Sequence, residues 1–204
     1  MVKTSKLTDA IFDVGGVLYT LDYDRMFKNF SDLCGKPIEK IKDILYKENI
    51  LIDFEKGRIS SIEYYKAVTP DFECSLSFDE FKRIFNSFLI KRDQMFDLLK
   101  KLKNHINIHI LSNTNEINAE TLMHDLESIP SSIVYSFQTG YKKPQHEIFR
   151  IALKKANSDP KKIIFFDDTE ENVDAARALG INSYLFQNKE SLLTTLDLFG
   201  ISIH

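Results

Sequence analysis

The chain has 204 residues, 43% of them apolar and 28% charged, with a net charge of −3. Those proportions are ordinary for a soluble globular protein, and a chain of this length buries roughly 70% of the surface its unfolded form exposes, enough for one sizeable core with a small appended domain. So small a negative charge gives no electrostatic case for a nucleic-acid or membrane partner, and no run approaches the ~18 apolar residues of a membrane span.

The apolar stretch in "MVKTSKLTDAIFDV" is too short for a signal peptide. Cys34 and Cys74 stand far apart and in no metal-type spacing. The expectation is two free, buried thiols in a cytoplasmic protein.

The first predicted strand, "AIFDV" (10–14), is a short run rich in β-branched and aromatic residues. Helical patterns follow at 24–34, 37–47, 60–68 and 78–88, with "FEKGRIS" (54–60) as a turn. A further helix covers about 93–103 and ends in "KKLK". Strands and helices then alternate: strand 106–111, helix 115–126 after "SNT", strand 132–136, helix 144–156, strand 163–166, helix 170–179 and strand 182–186. Pro144 suits a first helical position, Thr169 an N-cap and Gly180 the residue beyond a helix end. Most of the strands are apolar on successive residues, as expected where helices cover both faces of a parallel sheet. The fold class is therefore α/β, with a Rossmann-like, mostly parallel sheet.

The first crossover is too long. A parallel connection needs a dozen or so residues, yet the first two strands are separated by residues 19–105, a surplus of about 70 too patterned for a loop. Residues 1–19 and 90–204 are read as the α/β core, and 20–89 as a helical domain inserted after the first strand, over the sheet edge.

Ligands of open parallel sheets bind beyond the carboxyl ends of the strands. Those ends supply Asp13, then Ser112, Asn113 and Thr114, then Gly140, Lys142 and Lys143, then Asp167 and Asp168. Three carboxylates crowd together only around a cation. A hard ion such as Mg²⁺ takes oxygen ligands, commonly one or two carboxylates with substrate phosphate and water. Ser112, Asn113 and Lys143 then offer donors and charge for an anion. An aspartate so placed can attack a phosphoryl group and form an aspartyl-phosphate.

Four stretches, "FDVGGVL" (12–18), "LSNTN" (111–115), "GYKKPQHEIF" (140–149) and "FFDDTEENVDAARALGI" (165–181), occur in the order and spacing of a known family. The chain resembles the haloacid dehalogenase-like (HAD) superfamily, and within it the bacterial sugar-phosphatase branch exemplified by α-D-glucose-1-phosphate phosphatase. "FEKGRIS" is similar to the turn of that branch's cap. The resemblance implies a parallel-sheet core with an inserted helical cap domain and a Mg²⁺-dependent phosphatase acting on a small phosphorylated metabolite, a sugar phosphate above all. It implies that Asp13 is the nucleophile, and that the Asp13 carboxylate, the Gly15 carbonyl and Asp168 hold the metal, with Asp167 as a further ligand or a group behind the ligands. Ser112 and Asn113 would hold the phosphoryl group and Lys143 would neutralise its charge. No nucleic acid or membrane is implied, and no oligomeric state.

One position departs from the pattern. Most family phosphatases carry an aspartate where this chain has Gly15, and that aspartate is the general acid. A glycine retains the carbonyl but supplies no proton, and general acid–base catalysis is worth about 10²–10⁴ in rate. Asp22 and Asp24 are the nearest substitutes in sequence. Two other readings stay open: a HAD-fold module that binds without turnover, which Gly15 motivates, and a 2-haloacid dehalogenase, against which the Asp167–Asp168 pair stands. Tyr23, Phe27, Tyr64 and Tyr65 are read as packing residues, Arg25 and Lys142 as surface residues, and His105, His109 and His124 as structural or exposed.

Overall fold

A computed structural model of the protein describes residues 6–203. Five strands, β1 (Asp9–Phe12), β4 (Asn107–Ser112), β5 (Ser132–Tyr135), β6 (Ile163–Asp167) and β7 (Asn182–Leu185), form one parallel sheet in the order β5-β4-β1-β6-β7. All five match predicted strands. Their side chains alternate between two apolar layers: Ala10, Phe12, Ile108, Ile110, Ile164 and Phe166 enter one, and Ile11, Leu111, Ile163 and Phe165 the other. Both faces are buried, which is why the sequence runs are continuously apolar.

Helices α6 (Asp93–Leu102), α7 (Glu116–Leu126), α9 (His146–Ala156), α10 (Glu170–Ala178) and α11 (Lys189–Leu198) flank the sheet, and the short α8 (Ser136–Thr139) follows β5. The insert comprises α1 (Tyr23–Cys34), α2 (Ile38–Leu45), α3 (Ile50–Glu55), α4 (Ser61–Val68) and α5 (Phe78–Phe85), linked by 3₁₀ turns. Reciprocal capping boxes, Ser60 with Glu63 and Ser77 with Glu80, start α4 and α5. The insert has its own apolar cluster, centred on Phe30, Phe54, Tyr64, Phe72 and Phe81, which also takes in Ile117 of α7. A ribbon of β2 (Tyr19–Leu21) paired antiparallel with β3 (Leu89–Lys91) joins insert to sheet. Leu21 and Leu89 in this ribbon pack against the clusters of both.

Several expectations are corrected. Cys34 and Cys74 are not free thiols but a disulfide, and both are half-buried rather than buried. The end of α1 and the segment before α5 bring their Cα atoms to 5.3 Å, a proximity that a separation of 40 residues conceals. Pro144 lies in a turn closed by Gln145 N–H on the Lys142 carbonyl (2.9 Å), after a cis Lys143–Pro144 bond, so α9 starts only at His146. The Thr169 side chain does not cap α10; Oδ1 of Asp167 accepts from Thr169 N–H instead (2.9 Å). The ribbon, α3, α8 and α11 add to the predicted elements. Among the described residues no helix is long and apolar enough to cross a membrane.

Candidate active site

Asp13 stands one residue beyond β1, and its N–H still donates to the Phe166 carbonyl of β6 (2.9 Å). The ladder thus sets its backbone beside the end of β6, where Asp167 closes the strand. Lys143, from the loop after α8, lies between the two acids: Nζ is 2.7 Å from Asp13 Oδ1 and 2.6 Å from Asp167 Oδ2. All three side chains are nearly dry, the Lys143 side chain being 1% exposed. Asp167 is held further by Thr169 N–H and by Asn172 Nδ2, both 2.9 Å from Oδ1. Val14 N–H donates to Asp13 Oδ1 (2.6 Å).

Burial acts first on these charges. It pushes the Asp13 carboxyl up to about 7; Lys143 opposes this and Asp167 adds to it. Burial also works against the Lys143 ammonium, but the two carboxylates outweigh it and hold that group above the usual lysine range. Desolvation, then Asp167, raises Asp168. Two buried carboxylates around one lysine are under-compensated, and a divalent ion would relieve them.

The donor set fits such an ion. One oxygen each from Asp13, Asp167 and Asp168 lies within 4.8 Å of the others. The next turn adds a carbonyl: Val14 O accepts from Leu18 and Tyr19 N–H, Gly16 O accepts from Arg92 Nη1, and the Gly15 carbonyl accepts from none of the described residues. An all-oxygen set suits a hard cation. Gly16 makes room for it. Its φ is +69°, and a Cβ built there would fall 1.8 Å from Asp168 Oδ2, so only a glycine lets that carboxylate approach.

The predicted anion contacts divide. Ser112 is buried and its hydroxyl has no hydrogen-bond partner among the described residues; it lines a cavity of about 310 Å³ between the strand ends and the insert. Asn113 lines the same cavity, but its side-chain amide is engaged elsewhere. Oδ1 accepts from Lys143 N–H (2.8 Å) and Nδ2 donates to the Lys143 carbonyl (2.9 Å), clamping the lysine backbone. What Asn113 has left for an anion is its backbone N–H.

Gly15 has no acid, and no neighbour in sequence replaces it. Asp22 caps α1 through Arg25 N–H (3.0 Å), and Asp24 is exposed on the first turn of that helix. The space beside Gly15 is apolar: an added Cβ would meet Leu21 Cδ1 at 3.0 Å. Tyr64 and Tyr65 are packing residues, their hydroxyls on the Leu45 and Leu76 carbonyls. Tyr23 stacks on Phe88 (4.8 Å) but also lines the cavity. His109 bridges Asp9 and Ser132 within the sheet, and His105 and His124 are exposed.

Sequence reasoning missed Glu55, Asn115 and Asn118, which line the cavity, and Asn86, which is tied to Asn118. Asn115 donates to Asn118 and Asn118 to Asn86 (both 2.6 Å), a chain of amides joining α7 to the insert. Asn115 and Asn118 meet locally, as the N-cap and first turn of α7, but only tertiary docking brings Asn86 and Glu55 to them, and no local pattern marks that.

A D-ribitol-5-phosphate phosphatase of Bacteroides thetaiotaomicron is 25% identical over 193 residues, covering 89% of this chain and 93% of that protein. A phosphorylated carbohydrates phosphatase of Thermotoga maritima is 28% identical over 182 residues, covering 84% and 81%. The crystal structure of a HAD family enzyme of B. thetaiotaomicron in complex with magnesium and inorganic phosphate superposes with a TM-score of 0.82 at 28% identity, over 91% of this chain and 98% of that one. The model of the haloacid dehalogenase-like hydrolases matches residues 10–180, and the chain belongs to that family.

Proposed function

We propose that the protein is a Mg²⁺-dependent phosphatase acting on a small phosphorylated carbohydrate through an aspartyl-phosphate on Asp13. The observation that carries this reading is the buried Asp13–Lys143–Asp167 group beside Asp168. Asp13, Asp168 and the Gly15 carbonyl would hold the metal, with Asp167 contributing an oxygen while it orients Lys143. When bound, the ion supplies positive charge that offsets the acids and draws the phosphate in. The relatives named above support the substrate class.

The chain's own groups then have defined roles. The Ser112 hydroxyl and the Asn113 N–H hold phosphate oxygens. Lys143 neutralises charge developing on them, a buried and preorganised donor. An Asp13 oxygen attacks phosphorus as the bond to the leaving oxygen breaks, and that oxygen takes a proton from water. A second water then attacks phosphorus and breaks its bond to Asp13, its proton going to the hydroxide left by the first water, so that Asp13 is returned and inorganic phosphate released. The missing acid at Gly15 makes good leaving groups the better substrates. Residues 20–89 act as a cap that closes the cavity over the substrate. The test is phosphate release from a panel of sugar and polyol phosphates, including ribitol 5-phosphate, with and without Mg²⁺. Metal-dependent turnover abolished in Asp13→Asn supports the reading; turnover untouched by that substitution overturns it.

A further inference from the structure

The cavity wall contributed by the insert is almost wholly apolar. Tyr23, Leu45, Tyr46 and Phe88 form much of it, and Glu55 is the one charged residue among the described residues lining the cavity. Glu55 is placed with care. Its carbonyl accepts from Ser136 Oγ (2.8 Å), and the turn after it presses onto the core so closely that a Cβ at Gly57 would lie 1.9 Å from the Phe137 carbonyl. Its Oε2 is 3.0 Å from Lys142 Nζ, while Oε1 has no partner among the described residues. Tyr23, Tyr46 and Tyr64 line the same cavity, so its aromatic wall and this carboxylate share one chamber.

A carboxylate accepts hydrogen bonds and donates none. In the cavity it shares with Ser112 and Asn113, it favours a hydroxyl donor and repels a second anion. The aromatic wall takes a C–H face. Resting on the phosphatase reading above, we propose that Glu55 determines specificity. It accepts a hydrogen bond from a hydroxyl of the leaving group, so the site takes monophosphates of neutral, hydroxyl-bearing alcohols and rejects those with a second anionic group.

The test compares kcat/KM for a pentitol monophosphate, a sugar bisphosphate and p-nitrophenyl phosphate, whose leaving group carries no other hydroxyl. The wild-type protein should prefer the pentitol ester to the bisphosphate. Glu55→Ala should lower the pentitol to p-nitrophenyl ratio about tenfold or more, through KM, as loss of a hydrogen bond to a charged group implies. Glu55→Gln, which keeps an acceptor but no charge, should narrow the discrimination against the bisphosphate. Lys142→Met should leave the ratio where the wild type has it. An unchanged ratio in Glu55→Ala overturns the proposal. So does the same loss in Lys142→Met, since the ion pair and not the carboxylate would then be responsible. Failure of the phosphatase reading looks different: no ester is hydrolysed by the wild type, or Asp13→Asn hydrolyses all three equally well.

Discussion

The rim of the sheet and the interior of the insert are both dry, but they are built on opposite principles. At the rim, Lys143 is locked between Asp13 and Asp167, and the amide of Asn113 clamps its backbone. In the insert, rings stack on rings: Phe54 on Tyr64 at 4.6 Å, Phe30 on Phe72 at 5.0 Å and Phe81 on Phe85 at 5.5 Å. Charge and donor geometry tolerate no substitute, because each partner left alone is a buried unpaired group. Aromatic packing asks for volume and shape, which other residues can partly supply. The chemistry is therefore written in residue identities, and the chamber around it mostly in sizes.

The contrast can be broken at several points. Asp13→Asn should lower kcat/KM by at least about a thousandfold while the fold persists, as for other nucleophiles that act within a unit; steady-state kinetics and a thermal melt check both parts. Lys143→Met leaves two buried carboxylates without their cation. It should cost about 3–5 kcal/mol of stability, read by denaturant unfolding, and abolish turnover as well. In the insert, Phe81→Ala should cost a similar amount, about 3–5 kcal/mol, because this fully buried ring touches Phe30, Tyr64, Tyr65 and Phe85. Phe81→Leu should cost less than about 1.5 kcal/mol, the tolerance that no rim substitution enjoys. Gly16→Ala is smaller in volume but aimed at the rim: a methyl in the place of the Asp168 carboxylate should weaken Mg²⁺ binding about 10- to 100-fold by titration calorimetry.

The same division governs what the sequence reveals. The five sheet strands are legible because burial on both faces leaves unbroken apolar runs such as "IIFF". The long helices of the insert are legible from their period. The rim acids and Lys143 are legible because chemistry restricts residue type at strand ends. The ribbon of β2 and β3 is not, since three residues per strand make no pattern. Nor is the Cys34–Cys74 bond, which depends on how the end of α1 meets the segment before α5. The clamp of the Asn113 amide on the Lys143 backbone is not legible either, because only the fold brings that backbone within its reach. Glu55 lies in the "FEKGRIS" turn, but its place in the cavity wall emerges only when the end of α3 docks against Ser136 and Phe137.

The most direct measurement is chemical trapping on Asp13. The protein is mixed with substrate and Mg²⁺, quenched with hydroxylamine, digested and analysed by mass spectrometry. The expected result is a hydroxamate on the peptide holding Asp13, present only with both substrate and metal. Steady phosphate release with that peptide unmodified, or with the modification on Asp168 instead, would contradict Asp13 as the group that takes the phosphate.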